Sequence, residues 1–329
     1  MAWGSAKRTL GDCRMTKSFR KARRLSSWRR IALHLWEKPK DPTVYGILEI
    51  DMTRALEYLE AVNPPGDPAR VTVTHLVVKA IAKAIAANPE SNAIVSRRHI
   101  YLRDTVDIYC QVATEGGNDL SGVKVREADQ KPIRQVAEEL GRNVKLVQDR
   151  LDAGSETTKR TVLSVPPRLL GPILRAVEYL TYERRWDLSR FGIAFDQFGS
   201  AMVSNVGGFG IANGLAPLVP ATRVPVVLLL GEVTDRPVVR EGRIEVAPCM
   251  TIGCTFDHRV IDGYHAGNMA RVVRQCLENP FAELGLPSRS SSAADRLDLV
   301  GPGTSDTYPS DSAYKARRPG FDREKDQPL

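Results

Sequence analysis

Thr251-Ile-Gly-Cys-Thr-Phe-Asp-His-Arg-Val-Ile-Asp-Gly263 is the stretch from which the fold of this chain is read. Met250 to Phe256 has the apolar character of a buried strand. The chain then turns through Asp257-His258-Arg259 and enters a helical pattern after Gly263. This order places an imidazole at a strand terminus. Asp262-Gly263 permits a tight turn, because glycine reaches positive φ without a Cβ clash. Histidine titrates near neutrality, so it can take a proton from a thiol or hydroxyl and give it back. Taken alone, the same string is also a capped turn with no chemistry.

Working outward, Val44 to Ile50 alternates apolar and polar like a half-buried strand, and Asp51 or Thr53 then caps a short helix to about Val62. Thr72 or Thr74 opens a helix in which Leu76, Ala80 and Ala84 recur at four, as do Val77, Ile81 and Ile85, until Asn88-Pro89 stops it. Ile100–Leu102, Val106–Ala113 and Leu120–Val125 read as strands, with a turn at Glu115-Gly-Gly-Asn118. Lys131 to Leu151 is an amphipathic helix carrying Ile133, Val136, Leu140, Val144, Val147 and Leu151 on one face. After Pro166-Pro167, Leu170, Ile173, Leu174, Val177 and Leu180 suggest a further helix. Ser200 to Val203 is a strand that runs into Ser204-Asn-Val-Gly-Gly-Phe-Gly210. No helix of the right kind follows those glycines, so they are not a dinucleotide fingerprint. Val224–Gly231, Val238–Val239, Ile244–Val246 and Met250–Phe256 complete a strand-rich run with a hairpin turn at Glu241-Gly242. The last helix is expected to end near Leu277, before Asn279-Pro280.

Three stretches in this order carry a resemblance. They are Glu49-Ile-Asp51 followed by a helix closing at Pro89-Glu-Ser-Asn92, then Ser204-Asn205-Val-Gly207, then His258 with Asp262-Gly263. Together they resemble the catalytic domain of the dihydrolipoyl acyltransferases of 2-oxoacid dehydrogenase complexes, in the chloramphenicol acetyltransferase-like superfamily. The resemblance implies an α/β (α+β two-layer) fold, a mixed sheet with helices packed on it. It implies acyl transfer between the thiols of dihydrolipoamide and coenzyme A, with coenzyme A a substrate and no metal. His258 would be the base and then the acid, and Ser204 the donor to the oxyanion. Asp262 would hold the loop through an ion pair, and Asn205 and Gly263 would be substrate-binding positions. The family's Arg partner of Asp262 falls here at Trp28, with Arg29 and Arg30 just after it. Family members are trimers with active sites between subunits, so a homotrimer or larger trimer-based assembly is expected. A possible lipoyl-bearing protein is the other partner, because residues 1–26 leave no room for a lipoyl domain. Two departures stand out: Gly116-Gly-Asn-Asp-Leu120 replaces the family's D-x-x-G-L-like loop, and about forty residues near 155–198 are extra.

The chain has 329 residues, of which 42% are hydrophobic and 26% charged, which is ordinary for a globular protein. No run approaches a membrane span. The net charge of +8 gathers in the first thirty residues, where Asp12 is the only acid. That arm, residues 1–26, reads as a solvated tail rather than a nucleic-acid contact. It also has the Arg- and Ser-rich, acid-poor character of a mitochondrial transit peptide. Localisation is therefore expected to be cytoplasmic, or mitochondrial if the arm is such a peptide. Residues 27–286 would form the catalytic domain, and 287–329 a disordered tail rich in Ser, Pro, Asp and Arg. Cys13, Cys110, Cys249, Cys254 and Cys276 show no C-x-x-C spacing, which argues against zinc or a disulfide framework. Two other functions compete with thiol-to-thiol transfer: acetyl-CoA-dependent transfer to a small hydroxyl or amine, and a non-catalytic scaffold subunit.

Overall fold

The computed structural model describes residues 19–22, 26, 27, 30, 41–67, 69–114, 119–148, 165–189, 193 and 195–286. The strands are β1 (Phe19–Lys21), β2 (Thr43–Asp51), β3 (Ala93–Ser96), β4 (His99–Arg103), β5 (Ile108–Thr114), β6 (Asp119–Val125), β7 (Ala201–Asn205), β8 (Val226–Leu230), β9 (Thr234–Arg240) and β10 (Arg243–Asp257). The helices are α1 (Thr53–Val62), α2 (Val73–Ala87), α3 (Ile133–Gln148), α4 (Pro167–Glu178), α5 (Gly263–Glu278) and α6 (Pro280–Leu284).

The larger sheet is mixed, in the order β2-β10-β8-β7-β5-β6, with β9 also on β10. Among the described residues, only β5–β7 and β7–β8 are parallel pairs. β10 is its axis. Residues 243–249 pair with β9 and 252–256 with β8, while 249–257 pair with β2 on the other side. Ile244–Val246 and Met250–Phe256, read from the sequence as separate strands, are therefore one. Pro248 between them is tolerated because β2 pairing begins only at Cys249. Its carbonyl accepts the Met52 amide. The hairpin turn at Glu241-Gly242 is as expected, with both residues at positive φ.

Alternation gives the sheet two faces. Leu48, Ile50, Met250, Ile252, Cys254 and Phe256 join the main core, where α2 and α5 pack. α2 is buried along nearly its whole length, and α5 buries Met269, Val273, Cys276 and Leu277 at helical spacing. On the opposite face Tyr109, Met202, Val224 and Val227 form a smaller core with Phe198, Ala216 and Leu218. The 211–218 segment lies directly on the sheet there. A Cβ on Gly231 would stand 2.0 Å from the Ala212 carbonyl oxygen, and one on Gly253 would stand 1.9 Å from that of Gly214. Thr255 Oγ1 donates to the Ala216 carbonyl and fixes the same segment.

The N-terminal arm differs from its sequence reading. Phe19–Lys21 is an edge strand on β4 in a second sheet, β1-β4-β3, and the Ala22 amide donates to the Ile100 carbonyl. Residues 28, 29 and 31–40 lie outside the described set, as do residues 287–329. α4, in the extra segment, forms where expected. The turns after it are tied to the fold by Arg223, which reaches Glu178 at 2.7 Å, Glu183 at 3.1 Å and the Val95 carbonyl at 2.9 Å. Ser96 Oγ also donates to the Tyr182 carbonyl, and the Arg103–Asp196 pair closes the far end of the segment. Among the described residues, no helix is long and apolar enough to cross a membrane.

Burial holds His75, in the first turn of α2, down to a pKa of about 4. Its Nδ1 accepts the Thr72 amide in a capping box, a role open only to the neutral ring. The folded pKa lies below the unfolded 6.5, so the stabilisation is complete above pH 6.5 and is lost as the pH falls toward 4. Denaturant unfolding should show about 3 kcal/mol lost across that window through this group. His75→Gln should flatten that slope.

Candidate active site

The last residues of β10 set the position of His258. Its amide donates to the Pro42 carbonyl at 2.8 Å, continuing the β2–β10 ladder by one bond. Asp257 is buried, receives the Arg259 amide at 3.0 Å, and forms a two-point pair with the Arg259 guanidinium at 3.0 and 2.7 Å. This pair locks the turn from which His258 projects. His258 is half-buried, and its Nδ1 lies 2.8 Å from the Ile261 carbonyl oxygen. A carbonyl only accepts, so that bond assigns the proton of the neutral ring to Nδ1. Nε2 then carries the lone pair, as a general base requires.

Asp262 caps α5 and accepts the Tyr264 and His265 amides at 3.1 and 3.2 Å. Its Oδ1 also lies 2.5 Å from His265 Nδ1. Arg29 lies outside the described residues, and Arg30 is exposed. Gly263 opens α5, and its Cβ direction is empty space. His265 was not singled out in the sequence. The only hint was its position three residues after Asp262, which faces it once the helix forms.

At the other end of the sheet, β7 delivers Ser204 and Asn205. Asn205 Nδ2 donates to Thr74 Oγ1 at 2.9 Å and its Oδ1 accepts the Gly207 amide at 2.9 Å. Both polar atoms of this expected substrate-binding residue are thus engaged in holding the turn to α2. Gly207 is required there, since a Cβ would meet the Gly231 carbonyl oxygen at 2.8 Å.

The registers decide how these residues relate. Ser204 pairs with Leu229, and Leu229 with Gly253. His258 lies five residues past Gly253 (258 − 253), about 17 Å along the strand direction at the usual rise. One copy of the chain therefore does not bring Ser204 to its own His258. Paired residues share a face, so Ser204 lies on the face of Leu229, Gly253 and Ile47, away from the helices. That face displays exposed Tyr45, Ile47 and Leu215, with Ile47 68% exposed.

Among the described residues, the cysteines of the sheet are held as thiols. Cys254, four residues before His258, and Cys110 are both pushed up to about 12 by burial.

A two-layer α/β domain with a mixed sheet, helices on one face and a histidine at the exit of its central strand defines the acyltransferase-core fold. The cubic core of the pyruvate dehydrogenase multienzyme complex superposes with a TM-score of 0.55 at 18% identity, covering 73% of this chain and 83% of that one. The Azotobacter vinelandii dihydrolipoamide acetyltransferase (E2p) gives 0.54 at 18% identity over 73% and 83%. In that protein a serine, a histidine and an asparagine were investigated for roles in the catalytic mechanism. The family model for the 2-oxoacid dehydrogenases acyltransferase (catalytic domain) matches residues 20–163 and 196–284, and the chain belongs to this family. α4 falls in the gap between the two matched stretches. The dihydrolipoyllysine-residue acetyltransferase component of the Rickettsia prowazekii pyruvate dehydrogenase complex is 26% identical over 77% of this chain and 53% of its own. The chain thus spans about half the length of that relative.

Gly231→Ala should drive a methyl into the Ala212 carbonyl, displace the segment over the outer face, and cost roughly 1–3 kcal/mol of stability. Gly208→Ala meets no atom within 4 Å and should leave the melting temperature within about a degree of wild type.

Proposed function

We propose that this protein is a coenzyme A-dependent acyltransferase that moves an acyl group between the thiols of dihydrolipoamide and coenzyme A. In this reading His258 Nε2 takes the proton from the attacking thiol, whose pKa near 8.5 leaves it mostly protonated at neutral pH. The thiolate adds to the thioester carbonyl. The resulting oxyanion accepts a hydrogen bond from the Ser204 hydroxyl of a neighbouring copy. Collapse expels the other sulfur, which receives the proton back from His258. Asp262 orders the loop and takes no part in proton transfer, while Asn205 and Gly263 shape the two thiol entries.

The observation that carries the reading is the register. Within one chain Ser204 stands five residues short of the level of His258, on an apolar face open to a second copy. That favours a trimer, or a larger assembly of trimers, in which each site is shared. Its relatives' names support the acyl chemistry: the matched proteins are acetyl- and succinyltransferase components of 2-oxoacid dehydrogenase complexes. In this reading the acyl group is exchanged with a lipoyl group carried on a lipoyl-bearing protein. Transfer to a small hydroxyl or amine, and a purely structural role, become outcomes of the test.

Purified protein should exchange acetyl groups between acetyl-CoA and dihydrolipoamide. His258→Ala should lower kcat by about 10²–10⁴ and Ser204→Ala by about 10²–10³. A faster reaction with an amine or alcohol acceptor would move the assignment to that class. Equal rates for wild type and His258→Ala would remove the catalytic reading altogether.

A further inference from the structure

We propose that α4 is a docking surface for an anionic lipid bilayer, on which it lies flat through one exposed face. α4 falls between the two stretches that match the family model, so the family's shared core does not include it. Its sequence, Pro167-Arg-Leu-Leu-Gly-Pro-Ile-Leu-Arg-Ala-Val-Glu178, is rich in Leu, Ile and Val. Among the described residues of α4, however, none is buried, whereas α2 is buried along nearly its whole length. A helix of 12 residues is marginal in water by itself, and Gly171 and Pro172 weaken this one further. Such a helix is stabilised by covering its apolar face, and here apolar side chains stand at the surface.

Helical spacing sorts the exposed side chains into two neighbouring stripes. Leu169, Ile173 and Ala176 form one, with Leu169 54% and Ile173 42% exposed. Arg168, Arg175 and Tyr179 form the other, and all three are exposed. The other side of the segment is tied to the fold. Glu178 and Glu183 both pair with Arg223, Ser96 Oγ donates to Glu183 at 3.0 Å, and the Arg185 guanidinium stands 4.7 Å from the centre of the Tyr101 ring. Glu178 is the only acid in the α4 sequence, and its charge is met by Arg223. The charges of Arg168 and Arg175 stay at the surface, beside the apolar stripe. Trp186 is exposed just beyond the helix, and its amide donates to the Leu180 carbonyl at 2.9 Å.

A neighbour that satisfies both stripes must offer negative charge and hydrocarbon side by side along the helix, for about 18 Å at the usual rise. The phosphate and acyl layers of a bilayer surface do so. Arginine stems can lie along the apolar stripe while their guanidinium groups reach the phosphates. Tyrosine and tryptophan favour the same boundary, with the ring in the apolar layer and the polar edge toward water. Binding of this kind is peripheral and needs no spanning segment.

Flotation of the full chain with lipid vesicles tests the proposal. Wild type should float with phosphatidylcholine vesicles containing about 30% phosphatidylglycerol, and should bind pure phosphatidylcholine at least about tenfold more weakly. Salt at about 0.5 M should weaken the binding to anionic vesicles. Arg168→Gln/Arg175→Gln should weaken it about thirtyfold, at roughly fivefold for each guanidinium. Leu169→Gln/Ile173→Gln, which leaves the charge unchanged, should weaken it by about tenfold or more. All four positions are exposed, so both variants should keep the melting temperature and the acyl exchange of wild type. Wild-type flotation by both variants would overturn the proposal and move the binding to another basic part of the chain. Failure of wild type to float with anionic vesicles would overturn it as well. If that failure came with a smaller assembly in solution for Leu169→Gln/Ile173→Gln, the face would belong to a second copy instead.

Discussion

The hydrogen-bonded register of β10 is the constraint on which the rest depends. One fifteen-residue strand holds β9, β8 and β2 at once, and no other element could shift it without breaking two ladders. A one-residue slip would exchange Ile252 and Cys254 for Gly253 and Thr255 in the core. The same register carries the Asp257 turn to a fixed height at one end of the sheet and leaves Ser204 five residues away in height. The proposed sharing of each site between copies is therefore a consequence of strand pairing rather than of loop placement.

The outer face is shaped by close backbone contacts. Glycines at 231 and 253 let the 211–218 backbone lie flat on the sheet, and Thr255 pins it there. Tyr45, Ile47 and Leu215 remain uncovered beside it. On the opposite face, the alanine- and valine-rich α2 is buried almost completely and supplies both Thr74, which holds Asn205, and the turn carrying Glu90. One helix thus holds Asn205 and leads into the turn whose Glu90 lies 3.4 Å from His265 Nε2.

Much of this was legible in the residues. The alternation in Val44–Ile50, the fours in Leu76–Ala84 and the apolar run at Met250–Phe256 each gave the right element, because burial on one face leaves a period that can be counted. The Ser204 and His258 stretches were found through their motifs. β1 was missed because Phe19–Lys21 has no alternation and is stabilised only by its pairing with β4. The unity of β10 was hidden by Pro248, whose tolerance depends on where β2 pairing starts. His265 was overlooked for a similar reason. Its partners Asp262 and Glu90 are 3 and 175 residues away in sequence, and only folding brings the second one near. The ties that Arg223 makes to Glu178 and Glu183 were likewise invisible, since nothing local links them.

The most direct measurement is complementation between two inactive variants, Ser204→Ala and His258→Ala, co-expressed so that they assemble together. If each site takes its serine and its histidine from different copies, random mixing regenerates wild-type pairs at about one quarter of the sites, and activity should recover to about that fraction. Activity no greater than that of the two variants assayed separately would place both residues in a single copy and contradict the account.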